Sequence, residues 1–213
     1  MKKIAYYLLI LFFIASCRSY QPLSDLESGI VNGTVLDKTT NSGIPNATVY
    51  LLGNEGGGTW GGGGTASFLL DQTTSDAAGN FDFSFDYNND YGYYCSAVAG
   101  QYFNYNEEIP VGDATFGANN VEIELQPISY LELHIKNVNP FNNYDELTLS
   151  YTYNGSYPEL IGNEVDTTIC CFQLLGNESN RVVWYVEKNG EGTSYFEYVV
   201  TPAFDTTYYE ILY

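Results

Sequence analysis

Basic side chains are scarce in this sequence: seven Lys+Arg stand against 26 Asp+Glu, a formal balance of −19 over 213 residues. Nucleic acid binds proteins that neutralise its phosphates, and this chain would repel them, so a nucleic-acid partner is excluded. Histidine is scarcer still, with His134 the only one. One imidazole, and no G-x-S-x-G, H-E-x-x-H, C-x-x-C or phosphate-loop motif, leaves too few parts for a catalytic triad or a histidine metal site. Two carboxylates could still serve a glycosidase. With 26 acids, however, almost any fold brings some pair together, so a pair is not diagnostic. The chain is read as non-enzymatic and without a cofactor. Charge of either sign is also low, at 15% of residues, against about 25% in soluble domains. At 45% hydrophobic and 16% aromatic the chain is too apolar to be disordered. Amphipathic helices are missing, because no 3.6-residue stripe is sustained over ten positions. Abundant Gly and Tyr, 21 of each, favour strands and turns instead.

Long apolar runs are limited to one, Ile4 to Ile14, preceded by Lys2 and Lys3 and followed by Ala15-Ser16-Cys17. As a helix it would reach about 16 Å, short of the roughly 30 Å of a bilayer core. The pattern is that of a secretion signal. Ile14-Ala15-Ser16-Cys17 resembles the lipobox of bacterial lipoproteins, which implies cleavage before Cys17 and lipidation of that residue. Several acyl chains anchor stably, since each buried methylene contributes about 0.8 kcal/mol. The expected organisation is therefore a signal peptide over residues 1–16, a lipidated tether over 17–28, and a body held by a membrane through its lipid. Loss of Lys2 and Lys3 with the signal would leave 5 basic and 26 acidic side chains, a balance of −21. The expected address is the bacterial cell envelope, as an outer-membrane lipoprotein facing the periplasm or the exterior.

From Gly29 onward, strand signals recur about every ten residues between clusters of Gly, Asn, Asp and Pro. Val31, Gly33 and Val35 share one strand face, as do Ala47, Val49 and Leu51, Phe81, Phe83 and Phe85, and Val121, Ile123 and Leu125. Three blocks in this region carry a family resemblance: Gly33-Thr34-Val35-Leu36-Asp37, Gly43 to Leu51 with Pro45, and Thr74 to Phe81 with Asp76 and Gly79. In that order they resemble the carboxypeptidase regulatory-like domain, whose pattern runs G-x-V-x-D, then P-x-x-x-A-x-V-x-L, then T-D-x-x-G-x-F. The resemblance spans about residues 29–126 and implies a transthyretin-like, seven-stranded β-sandwich acting by non-covalent contact. It departs in the insert between Leu52 and Ala66, and the family's late Gly-Tyr appears as Gly100-Gln101-Tyr102. Residues 128–213 repeat the same physics without a family resemblance. Leu131, Leu133 and Ile135 alternate with Glu132, His134 and Lys136, and Lys188-Asn189-Gly190 signals a hairpin. The fold class is thus all-β: a transthyretin-like sandwich over 29–126, then a second β-sandwich over 128–213, with Pro127 the expected hinge. One large sandwich is the alternative.

Candidate site residues are few. Trp60 sits in a glycine-rich loop, Gly53 to Gly64, and two readings stay open: it offers an indole to a sugar ring or partner protein, or it folds back on its own sheet edge. Tyr91 and Tyr102 belong to aromatic clusters larger than one core face absorbs, so they join Trp60 as ligand-contact candidates. Asp86, Asn88 and Asp90 place oxygens at alternate positions as a calcium loop does, although Ala97 stands where an EF-hand has Glu, and a polar turn explains the same letters. Besides Cys17 there are Cys95, Cys170 and Cys171. Three unpaired small hydrophobes are the expected state, with a disulfide to Cys95 or a vicinal pair as alternatives. The functional reading is a lipid-anchored, non-catalytic binding module for a glycan or envelope protein. Its alternative is a passive spacer or scaffold.

Overall fold

The computed structural model describes residues 28–55, 67–88, 90–112, 119–150 and 159–213. Cys17 and Trp60 lie outside the described residues. Every regular element described is a strand, as period-two patterning requires.

Among the described residues seven strands build the first half: β1 (Ser28–Asp37), β2 (Thr48–Glu55), β3 (Phe68–Thr74), β4 (Asn80–Asp86), β5 (Tyr91–Val98), β6 (Ile109–Pro110) and β7 (Asn119–Leu125). They form two sheets, β4-β1-β7 and β3-β2-β5-β6. β1 is central in its sheet, antiparallel to β4 and parallel to β7. Their inner faces enclose one core, with Val31, Val35, Val49, Leu51 and Cys95 fully buried. The Cys95 thiol is pushed up to about 12 by burial, so it is an inert space-filler.

The second half has β8 (Ile128–Lys136), β9 (Glu146–Leu149), β10 (Glu159–Ile161), β11 (Asp166–Leu175), β12 (Glu178–Lys188), β13 (Glu191–Thr201) and β14 (Thr206–Leu212). Its sheets are β11-β8-β14 and β10-β9-β12-β13. Here β8 is central, antiparallel to β11 and parallel to β14. Adding seven to each strand number of the first half gives the second, so one sandwich topology occurs twice. A separate core gathers Leu131, Leu133, Ile135, Leu147, Leu149 and Ile211.

Local chemistry explains the motif blocks. Asn46 takes a positive φ of 57° after Pro45. The buried Ser75 hydroxyl holds this turn, donating to the Ile44 carbonyl at 2.7 Å and accepting from the Ala47 N–H at 2.9 Å. Asp76 accepts from the N–H groups of Ala78 and Asn80, both at 2.8 Å, and Gly79 closes this turn at a φ of 85°. Gly33 is small for a different reason. It pairs with Phe81 across the β1–β4 ladder, and that ring fills the space a β-carbon would need.

Two expectations are corrected. Cys170 and Cys171 are bonded to each other, and both are exposed. Strict alternation would turn one of them inward. Ile169 pairs with Leu133 and Phe172 with Leu131, so β11 carries one extra residue, a bulge at the cysteines, and Cys171 sits at a φ of 80°. Pro127 is not a free hinge either: it is buried, and its carbonyl accepts from the Gly176 N–H at 2.8 Å.

Replacing Gly33 by Ala drives a methyl group against the Phe81 ring and the Val121 carbonyl. The expected destabilisation is about 1–3 kcal/mol, read as a lowered urea midpoint. A midpoint equal to that of the unmodified protein would contradict the packing described.

Candidate functional site

Only Gln126 and Pro127 separate β7 from β8, and most of the polar chemistry connecting the two halves gathers around them. Gln126 is 4% exposed. Its carbonyl accepts from the Phe103 N–H at 2.9 Å, and its side-chain amide donates to the Gly176 carbonyl at 3.0 Å. Just past Pro127, Ile128 donates its N–H to the Gln101 carbonyl at 2.9 Å, and its own carbonyl accepts from the Phe204 N–H at 2.7 Å. The connection is therefore stitched to loops of both sandwiches.

Asp37, at the end of β1, organises the flank of this junction. One carboxylate oxygen accepts from the Thr39 N–H at 2.8 Å, the Thr39 hydroxyl at 2.7 Å and the Thr40 N–H at 3.0 Å. The other accepts from the Tyr102 hydroxyl at 3.1 Å. Thr39 and Tyr102 both touch the second sandwich. The Thr39 hydroxyl oxygen also accepts from the Asn177 amide at 2.9 Å, and the Tyr102 ring meets Phe204 edge-on at 5.3 Å. Asn177 in turn accepts from the Ala203 N–H at 3.0 Å. Burial of Asp37 works to raise its pKa, but the Thr39, Thr40 and Tyr102 bonds outweigh it and hold the carboxyl below its usual value. Burial, then the bond to Asp37 and its charge, push the Tyr102 phenol up to about 12.

Tyr102 thus stands at the junction, its hydroxyl committed to Asp37. Tyr91 lies elsewhere, half-buried on β5, with its ring edge-on to Phe68 at 5.3 Å and near Tyr93 at 6.5 Å. The two tyrosines do not converge on one surface. Asp86 ends β4, and Asn88 and Asp90 belong to the β4–β5 connection, where the Asn88 side-chain oxygen accepts from the Asp90 N–H at 2.9 Å. The Asn88 N–H donates to the Tyr93 hydroxyl at 2.7 Å. Among the described residues no three His, Cys, Asp or Glu side chains gather as a metal ion would need.

A polar groove of about 370 Å³ crosses the outer face of β4-β1-β7, lined by Asn32, Thr34, Asn80, Asp82 and Asn120 among others. Its groups partly engage one another, since the Thr34 hydroxyl donates to Asn80 at 3.3 Å. The matching face of the second sandwich is charged. His134 on β8 sits between Glu210 on β14 and Asp166 on β11, 2.8 Å from each through its two ring nitrogens. Lys136 shares Asp166, and Tyr208 stacks over the imidazole. A neutral imidazole donates only one hydrogen bond, so two carboxylate partners select the imidazolium. The bonds to Asp166 and then Glu210 raise the His134 pKa. Sequence reading placed His134 on the exposed face but missed this bridge, because Asp166 and Glu210 come from strands far along the chain.

No protein-family model matches the chain, and no curated protein matches it. Solved structures resemble it at low identity. The Bacillus anthracis TIE protein aligns at 14% identity and a TM-score of 0.39, covering 87% of this chain and 34% of that one. A streptococcal ancillary pilin aligns at 10% and 0.39, covering 89% and 63%. The minor pilin GBS52 of Streptococcus agalactiae aligns at 14% and 0.39, covering 86% and 94%. The chain therefore spans about a third of the first protein and less than two thirds of the second.

Two outcomes are expected. Asp37→Ala strands the Thr39, Thr40 and Tyr102 donors and costs about 2–3 kcal/mol. The Asp37 contribution is present above the unfolded carboxylate range and is lost as pH falls through its lowered folded value, so Asp37→Asn should flatten part of the acid limb of the stability profile. Unchanged acid limbs would contradict the network. For His134 the sign is opposite: its contribution is full below the unfolded value near 6.5 and is lost as pH rises through the raised folded value. NMR titration should find imidazolium persisting above that value, with Glu132, Asp166, Glu210, Lys136 and Tyr208 as its charged and titratable neighbours, and Asp166→Asn should lower the midpoint.

Proposed function

We propose that this protein is a non-catalytic module of the bacterial cell envelope in which two β-sandwich domains, residues 29–126 and 128–213, form one stiff spacer. The observation that carries this reading is the two-residue connection Gln126-Pro127, hydrogen-bonded to loops on both sides. A linker meant to let domains swing has few contacts and exposed polar residues; this one is buried. Stiffness is useful to a part that holds another component at a fixed distance from a surface. Lipid on Cys17, with the chain up to residue 28 as tether, would supply the attachment, as an outer-membrane lipoprotein on the periplasmic or outer side. The strongly negative body would keep clear of an anionic membrane.

A second reading, binding of a glycan or envelope protein, draws on the groove over β1, whose amides, hydroxyls and the carboxylates of Asp76 and Asp82 suit a hydroxylated ligand. Trp60, the indole of the glycine-rich segment, is a separate candidate contact for this reading. Tyr91 and Tyr102 favour the spacer, since each has internal partners.

Metabolic labelling with a fatty-acid analogue should mark the protein and leave Cys17→Ala unlabelled; label on the variant would refute the anchor. A glycan array and envelope pull-down, run with the unmodified protein beside Trp60→Ala, separates the two roles. The spacer reading expects no glycan retained by either. Glycan binding lost in Trp60→Ala would transfer the role to the loop.

A further inference from the structure

The two sandwiches end their larger sheets differently. In the first, the outermost strand on one side is β6, two residues long and closed by Pro110, a common way of blunting a sheet edge. The strand at the same topological position in the second sandwich is β13, with 11 residues and no Pro, Lys or Arg. Its register with β12 runs unbroken from Lys188↔Glu191 to Glu178↔Thr201. The long edge strand β11 is interrupted by the cysteine bulge, whereas β13 is regular throughout. Tyr195, Phe196, Tyr198 and Val200 along it are 46–66% exposed.

The direction of its free backbone groups follows from the hairpin. Asn189 and Gly190 occupy a two-residue turn with φ of 55° and 75°, which makes Lys188 and Glu191 a hydrogen-bonded pair. Alternate residues of β13, from Gly192 through Ser194, Phe196, Tyr198 and Val200, then turn their N–H and C=O groups outward. An independent contact fixes the same phase: the Val183 carbonyl, opposite Phe196, is taken by Ser150 on the β9 side at 2.9 Å.

We infer that β13 is a self-association edge that pairs antiparallel with β13 of a second copy, about a two-fold axis at Phe196. This register overlaps the whole strand and forms about ten backbone hydrogen bonds. It sets large beside small: Tyr198 meets Ser194 of the other copy, and Val200 meets Gly192, over which the Tyr185 ring lies. Neither acid of the strand faces an acid, since Glu197 falls opposite Tyr195 and Glu191 opposite Thr201. The pairing joins the two four-stranded sheets into one. Pairing along a single strand edge makes a smaller interface than the roughly 800 Å² per partner of a standard one, so the association belongs to the weak class. Repulsion between two acidic bodies makes it tighter as salt rises. The inference goes beyond the spacer reading, which survives in a monomer.

Sedimentation velocity over a dilution series of the purified full-length protein tests it. Dimer is expected, increasing with sodium chloride, and Phe196→Lys should weaken it by at least about tenfold with an unchanged circular dichroism spectrum. Phe196→Cys supplies a second readout, because opposed hydrogen-bonded residues lie about 5.5 Å apart at Cα, within disulfide reach. It should cross-link on oxidation where Ser84→Cys, on another face, does not. A monomer throughout, a Phe196→Lys protein that associates like the unmodified one, or equal cross-linking of both cysteine variants would overturn the inference.

Discussion

A buried carboxylate at the end of the first strand holds the junction of this molecule together. Asp37 is 5% exposed, and a charge so placed is tolerable only when donors surround it. Thr39, Thr40 and Tyr102 provide them. Two of these donors then reach the second sandwich, Thr39 through Asn177 and Tyr102 through Phe204. The need to satisfy one carboxylate in the first sandwich thereby orders the loops on which the second one rests. With only Gln126 and Pro127 available as connection, there is little slack for another arrangement.

The same seven-strand topology serves both halves, but their surfaces diverge. At the centre of the three-stranded sheets, β1 presents Asn32 and Thr34 to a polar groove that also holds Asp76 and Asp82, while β8 presents His134 and Lys136 to an ionic cluster. Exposed, solvent-screened ion pairs of this kind add little to stability. Their effect is to tie both outer strands, β11 and β14, to the central one. At the outer edge the contrast is between β6, stopped by Pro110, and the long β13. A shared core pattern fixes the sandwich, and edge and face residues are free to differ in what they offer to solvent or to a partner.

Much of the fold was legible because its signals are local. Period-two alternation located β1, β2, β4, β7 and β8, and Asn189-Gly190 located the β12–β13 hairpin. Where the signal is non-local the reading failed or stayed open. Alternation predicts opposite faces for Cys170 and Cys171, but a bulge is an extra residue relative to a partner strand, visible only once β8 is beside β11. Pro127 looked like a hinge; in the fold it is buried, its carbonyl taken by Gly176 and the following Ile128 N–H by Gln101, partners that arrive from both directions along the chain. Asp37 and Tyr102 were each noticed, one as the close of an early motif and one as a surplus ring. Their 65-residue separation concealed that they bond to each other.

The most direct test of the proposed rigid junction is a distance distribution between spin labels on the two sandwiches, at Ser84 on β4 and Leu212 on β14, both exposed. A locked connection gives one narrow distribution that broadens when Gly-Ser-Gly is inserted after Gln126. A distribution already broad without the insertion, or unchanged by it, would contradict the claim that the two sandwiches move as one body.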